Sequence, residues 1–292
     1  MYAAPFEYMR AGSWDEAVRR LADEGEEARV IAGGQSLVPL MMLGMSTPSV
    51  LVDVNGAGPR SLACDNGTLR IDALVRHVDL EASPEALTAF AALSDAARRI
   101  GNVRVRHRGT IGGSLAHADP AAELPCVALA AGAKVVALGP AGERTIAAAD
   151  LFTGHYSTAL EPGELITRID VPAVGEHTGC AFAELARRTG DFALAEACAV
   201  VELDGDGACR GVRLTVGAVS DRPLDASAAV AELCGSGLDD AATDAAGRAA
   251  ADYVEVRPGG HSSAGYVRRM LGVVAARALR AAAARARGRE AA

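Results

Sequence analysis

The sequence predicts an α+β chain of three units: two small mixed α/β units over residues 1–56 and 57–176, and a unit of antiparallel strands with helices on one side over 177–292. Three observations predict this. A length of 292 residues exceeds what one hydrophobic core usually serves. Helix and strand patterns alternate over roughly the first 176 residues. Beyond them the pattern changes to paired strands joined by an Asp-Gly-rich turn, followed by two Ala-rich helical stretches.

In chain order, SWDEAVRRLADEG reads as a helix. Ser13 is placed to cap it and Glu16 to complete a capping box, with Trp14, Ala17, Val18, Leu21 and Ala22 on one face. ARVIA is a short β-branched strand, and GGQSLVPLMMLG a glycine turn leading into a short helix, with Pro39 in its first turn and Gly44 at its end. SVLVDVN (49–55) is the next strand. In the second unit TLRIDAL is a strand and DAARRIG closes a helix at Gly101. AAELPCVALAAG is a helix running into the strand AKVVAL, GPAGE is a turn and GELITRIDVP a strand. In the third, EACAVVEL and CRGVRLTVGAV flank DGDG, a hairpin signal. That turn is not a calcium loop, because no Glu stands at the twelfth position. The last helix runs from about Ser262 to Arg285 and ends in a basic tail expected to fray.

Composition narrows the function. A net charge of −8 and a pI near 5.3 argue against nucleic acid, whose phosphates need a basic face. No apolar run is long enough to span a bilayer, and the start MYAAPFEYMR lacks a basic leader and long apolar core, so the protein is read as cytoplasmic. The six cysteines, at 64, 126, 180, 198, 209 and 234, form no CxxC pair and no iron–sulfur ligand set. They are read as small core residues in a reducing compartment. No metal site is expected.

The informative chemistry lies in two glycine pairs, AGGQS at 32–36 and TIGGS at 110–114. Each ends in a small hydroxyl residue and can present backbone N–H groups to an anion with no Cβ in the way. Facing one another, they would cradle a pyrophosphate. Neither fits GxGxxG or the Walker pattern, and a single glycine pair is more often an ordinary turn. A carboxylate follows the second loop, Glu123 or else Asp119, where an acid can accept hydrogen bonds from ribose hydroxyls. Either can equally be a helix-start residue favoured by the dipole. Arg104, Arg106 and Arg108 alternate, as on one face of an extended segment, and read as a solvated or interface face before a phosphate contact. His117 reads as structural, and Met41, Met42 and Met45 as core packing.

The segments AGGQSLVPLMMLGMSTPSVLVDVN, IGNVRVRHRGTIGGSLAHADPAAELP and FAELARRTGDFALAEACAVVEL, with SSAGYVRRML near the end, resemble in order the FAD-binding medium subunits of the molybdenum hydroxylases of carbon monoxide dehydrogenase and xanthine dehydrogenase type. The likeness covers residues 1 to about 285. It implies two FAD-binding subdomains of the PCMH/VAO flavoprotein type and a C-terminal domain of the CO dehydrogenase flavoprotein type. Val30, Ile31, Ala32, Gly33, Gly34, Gln35 and Ser36, with Thr110, Ile111, Gly112, Gly113 and Ser114, resemble the loops that grip the FAD pyrophosphate. Glu123 stands where the family usually has an aspartate near the adenosine half, with Asp119 beside it. Ile100 and Gly101 resemble positions lining the cofactor, and Leu165 and Ile166 an apolar contact near the flavin or adenine. Asp191 and Phe192 match a turn whose ring flanks the isoalloxazine; without the resemblance Phe192 reads as core.

Departures from the family pattern are Glu184 in place of a lysine near the flavin, leaving Arg187 or Arg188 as the donor, Phe192 without a tyrosine hydroxyl, and His107 in place of an asparagine. The resemblance further implies an electron-transfer subunit that works with a small [2Fe-2S] subunit and a large molybdopterin subunit, in a heterotrimer open to dimerisation. The electron acceptor would be NAD, oxygen or a quinone. A self-sufficient FAD oxidase or dehydrogenase would need an acid–base residue over the ring, and none is evident. A nucleotide-sensing protein on the same scaffold would lack reversible bleaching.

Overall fold

The protein is described by a computed structural model that covers residues 3–257 and 262–288. The first unit holds β1 (Glu7–Arg10), α1 (Trp14–Glu24), β2 (Ala28–Ile31), α2 (Leu37–Met42) and β3 (Val50–Asp53). Its strands form a parallel sheet in the order β1-β3-β2. All four residues of the central β3 are buried, as a parallel strand covered on both faces requires. Ser13 Oγ caps α1 by accepting from Glu16 N at 3.1 Å, while the Glu16 carboxylate reaches Gly12 N at 2.8 Å, one residue short of the expected box.

The second unit runs β4 (Leu62–Asp65), β5 (Thr68–Asp72), α3 (His77–Ala82), α4 (Pro84–Phe90), α5 (Ala92–Arg99), α6 (Val103–Arg108), α7 (Ile111–His117), α8 (Glu123–Ala131), β6 (Lys134–Gly139), β7 (Gly142–Ala147), α9 (Ala148–Leu151), β8 (Phe152–Gly154), β9 (Ser157–Thr158) and β10 (Leu165–Pro172). Its antiparallel sheet has the order β4-β5-β10-β6-β7, with the small hairpin β8-β9 apart. The arginine-rich segment is the helix α6, not an extended strand. Asn102 caps it through Arg104 N at 2.9 Å, and the helix sets Arg104 and Arg108 on one side and Arg106 on the other, so the three do not share one face.

The third unit holds β11 (Thr178–Ala186), β12 (Ala193–Leu203), β13 (Cys209–Gly217), β14 (Leu224–Asp225), α10 (Asp240–Tyr253) and α11 (Ala264–Ala286), with the sheet order β11-β12-β13-β14. The strand period of two divides β12 between two cores. Ala195, Ala197, Ala199, Val201 and Leu203 pack towards α10 and α11. Cys198 and Val200 turn to the second unit's core, and Phe182 and Cys180 do so opposite them on β11.

Close helix packing rests on two glycines. A Cβ at Gly179 would lie on the Ala282 carbonyl, 2.5 Å from Ala286 N, and one at Gly247 would lie on the Gly272 carbonyl. Arg285 on α11 then grips the second unit: Nη2 donates to Asp95 Oδ1 at 2.9 Å, and Nη1 to Cys180 O at 2.7 Å. Asp95 also accepts from Phe182 N at 3.3 Å.

Two core expectations are corrected. Cys64 and Cys234 are exposed, although the other four cysteines are buried. Met41 is buried, whereas Met42 and Met45 are exposed on the outer side of α2 and the turn after it. The end of the basic tail, residues 289–292, lies outside the described residues. Among the described residues no helix is long and apolar enough to cross a membrane.

The grip on α11 makes a stability prediction. Arg285→Ala leaves the half-buried Asp95 carboxylate without its cation and should lower unfolding free energy by about 2–3 kcal/mol. Urea denaturation reads this as a lower midpoint; an unchanged midpoint would show the pair to be idle.

Candidate functional site

A cleft of about 680 Å³ opens where the loop after β2 meets the segment 100–119, the start of α8 and the turn between β11 and β12. Its wall is built around α6. A Cβ at Gly33 would fall on the Arg108 carbonyl, 2.8 Å from its carbon and from Gly109 Cα. The two backbones therefore touch, and only glycine permits it. From the other side Gly190 (φ 85°) packs on Gly101, where a Cβ would stand 2.6 Å from the carbonyl oxygen. That contact delivers Asp191 and Phe192 to the cleft.

A buried arginine and a half-buried one fix the carbonyls being approached. Arg76 donates to Arg108 O and, at 2.6 Å, to Asn55 Oδ1; Asn55 Nδ2 in turn donates to Ala32 O at 2.8 Å. One chain of hydrogen bonds thus joins the first glycine loop to the segment before the second. Burial, and then the like charges of Arg60 and Arg108, push the Arg76 guanidinium down to about 10, which leaves it charged at neutral pH. Arg106, paired with Glu81 at 2.8 Å, donates to the carbonyls of Ile100 at 3.2 Å and Gly101 at 3.3 Å.

The two glycine loops differ. Among the described residues, the backbone N–H groups of Gly33, Gly34, Gln35 and Ser36 have no hydrogen-bond partner, and residues 30–36 all line the cleft. The second glycine pair is not a facing nest, because it lies in the first turn of α7. Gly113 N donates to the capping Thr110 Oγ1 at 3.1 Å and Gly112 N to Ala73 O at 2.9 Å. A Cβ at Gly112 would stand 2.6 Å from Ala73 Cβ, so this glycine serves helix-to-strand packing. Of these four glycines only Gly34 has positive φ, 71°.

The remaining expected residues divide. Ile100, Gly101, Thr110, Gly113, Ser114, Asp119, Glu123, Asp191 and Phe192 line the cleft. Phe192 is 67% exposed there, not in a core. Ile111 and Ile166 belong to the main core and Leu165 to the first unit's core, and neither they nor Gly112 line the cleft. Arg104, Arg106, Arg108, Arg187 and Arg188 do not line it either.

Glu123 is the first residue of α8 and 5% exposed. Burial outweighs its helix-start hydrogen bond and, with the nearby Glu184 and Asp119, pushes its carboxyl up to about 8. At neutral pH it is an acid that donates as well as accepts.

Among the cleft residues that sequence reasoning missed are His77, His117 and Tyr156. His77, after β5, is buried beside Gly109; burial and the cations of Arg76 and Arg106 push it down to about 4, so it is neutral. His117 lines the cleft 5.0 Å from the ring of Tyr156, whose hydroxyl donates to Asp119 at 3.2 Å. Tyr156 holds φ 51° in the β8–β9 turn, and no local pattern announces it. An exposed tyrosine in a short turn acquires a role only from the distant helix beside it.

Known proteins match over nearly the whole chain. The family described as the FAD binding domain in molybdopterin dehydrogenase matches residues 4–174, and the CO dehydrogenase flavoprotein C-terminal domain matches 180–282. The 6-hydroxypseudooxynicotine dehydrogenase complex subunit alpha of Paenarthrobacter nicotinovorans is 41% identical over 97% of this chain and 96% of its own length. The carbon monoxide dehydrogenase medium chain of Hydrogenophaga pseudoflava is 36% identical over 96% and 98%. Among solved structures, a carbon monoxide dehydrogenase from Hydrogenophaga pseudoflava superposes with TM-score 0.92 at 38% identity, covering 98% of this chain and 99% of that one. Quinoline 2-oxidoreductase from Pseudomonas putida 86 superposes with TM-score 0.93 at 34% identity, covering 98% and 99%.

The cleft fits FAD. Its volume lies within the roughly 300–1,000 Å³ of small-molecule sites, and the unpartnered N–H groups of 33–36 suit a diphosphate.

Gly33→Ala should therefore empty the cleft of flavin, because its methyl group meets a backbone carbonyl that cannot rotate aside. Gly44→Ala, at φ 71° with open space around it, should cost roughly 1 kcal/mol and keep the flavin. Visible absorbance of the purified variants decides; full flavin occupancy in Gly33→Ala would break the assignment.

Proposed function

Because the chain belongs to the family of FAD-binding subunits of the molybdopterin dehydrogenases, we propose that it carries electrons within a multi-subunit molybdenum hydroxylase, from iron–sulfur clusters to an external acceptor. The observation that carries this reading is the row of unpartnered N–H groups at Gly33–Ser36, facing a cleft whose opposite wall is backbone held by Arg76 and Arg106. FAD, when bound, supplies a centre that accepts and releases electrons singly or in pairs.

The protein's own share is binding and orientation. The amides of Gly33, Gly34, Gln35 and Ser36 hold the diphosphate, and the hydroxyls of Thr110 and Ser114 lie across from them. Protonated Glu123, with Asp119 beside it, serves the adenosine hydroxyls. Phe192 covers the ring from the β11–β12 turn, its backbone anchored by Gly190 on Gly101. Units 1–56 and 57–176 act as the clasp, and 177–292 as the domain that closes it from the third side.

The partners are a small [2Fe-2S] subunit and a large molybdopterin subunit. Relatives named as a complex subunit and as medium chains support this. The acceptor is of the NAD, oxygen or quinone class, and the work is done in the cytoplasm.

The chain alone should hold one FAD, releasable by acid, and be reduced by an artificial donor without turning over any organic substrate. Turnover should appear only when both partner subunits are added. Substrate-dependent bleaching by the isolated chain at roughly 10 per second, an ordinary enzyme rate, would replace this reading with a self-sufficient flavoenzyme.

A further inference from the structure

The strand period that sends the odd residues of β12 to α11 sends Glu196 the other way, beneath the cleft. Glu196 is 0% exposed, and among the described residues neither carboxyl oxygen has a hydrogen-bond partner. Glu184 is its direct register partner on β11, and Glu184 Oε2 is likewise buried and unpartnered. On the other flank, the partner on β13 is Gly217, and a Cβ there would stand 2.9 Å from Glu196 Cδ. The glycine leaves the room in which this carboxyl lies.

Above the sheet is α8, tied to β13 by the Thr215 hydroxyl donating to Cys126 O at 2.9 Å. Its first residue is Glu123, in the cleft wall. The ionisable groups around Glu196 are thus Glu184 from β11, Glu123 and Cys126 from α8, Asp119 from the loop before it, and Cys198 on its own strand. Among the described residues Arg99, acting on Glu184, is the cation set against their negative charge.

A fully buried carboxylate with no donor and no cation is too costly to keep ionised. Like charges directly opposite one another on a sheet add to that cost. Among the described residues no group is arranged to hold a metal ion, so the compensating ligand is the proton.

We propose that Glu196 and Glu184, beneath the cleft, form with Glu123 in its wall a shared-proton carboxyl site, and that it couples FAD retention to pH. This inference rests on the cleft being the FAD site. The step is an acid–base one with no change of oxidation state: as the anionic diphosphate enters, ionised carboxylates of the trio take protons from the solvent. The same O–H bonds break when the cofactor leaves.

Burial is the first cause at all three carboxyls, pushing Glu184 to about 7, Glu123 to about 8 and Glu196 well up. A raised folded value means that the trio's contribution to stability is full below the ordinary carboxylate range and is lost as pH rises through about 7 to 8. FAD affinity should fall as pH rises past about 7 to 8, where the flavin-free carboxyls ionise, roughly tenfold per pH unit for each proton taken up.

The test uses the full chain and Glu196→Gln, an isosteric neutral mimic of the protonated residue. Infrared spectroscopy of the flavin-free chain at neutral pH should show a protonated-carboxyl C=O stretch that Glu196→Gln loses. Calorimetric titration with FAD, in buffers of differing ionisation heat, should show proton uptake near the upper end of the window, reduced in the variant. The variant's flavin affinity and thermal midpoint should depend less on pH. Absence of the infrared band, or identical proton uptake in the two proteins, overturns the proposal. A chain that shows the band but binds no FAD at any pH instead overturns the cofactor reading and, with it, the coupling.

Discussion

The cleft depends on one constraint: the backbone of residues 100–109 is approached by another backbone on each side. Gly33 lies against Arg108 and Gly190 against Gly101, at separations where a single methyl group would collide with a carbonyl. Such contacts persist only if the carbonyls are held. Arg76, buried, and Arg106, half-buried, hold them by donating to backbone oxygen. The result is a first glycine loop pinned from behind through Asn55 and Ala32. Among the described residues nothing pairs with its N–H groups.

The same economy explains why a third unit is needed. The parallel sheet and the antiparallel sheet can each bury their own core, but the cleft between them would stand open on the side of Gly101. The strand β12 closes it by serving two cores at once, and Arg285 fixes the helix behind that strand to Asp95. The cost of this arrangement is that residue 196, on the side facing the cleft, is shut away from water as a glutamate.

Much of this was legible in the sequence, for definite reasons. Ser13 with Glu16, the DGDG turn and the Ala-rich helices are local signals, and local physics determined them. The glycine pairs marked the loops correctly, but their equivalence was false: Gly112 and Gly113 fit inside a helix because Thr110 caps it. Whether glycine means a free nest or tight packing is decided by Ala73, far away in the chain. The alternating arginines misled for a similar reason, since Asn102 begins a helix that the period of two concealed. The strand at 7–10, polar and exposed, has no pattern to read and exists because β3 offers it an edge. The Glu184–Glu196 pair was invisible because the strand at 178–186 was not recognised, so their register could not be drawn.

The central claim is that the amides of Gly33 to Ser36 are left unpaired by the fold in order to receive the cofactor's diphosphate. Hydrogen exchange of the flavin-free and flavin-loaded chain, resolved to single amides, tests it most directly. These four amides should exchange fast without FAD and become strongly protected with it, while the amides of Gly112 and Gly113, already bonded within the protein, change little. Protection that appears at α7 while residues 33–36 stay unprotected would contradict the account.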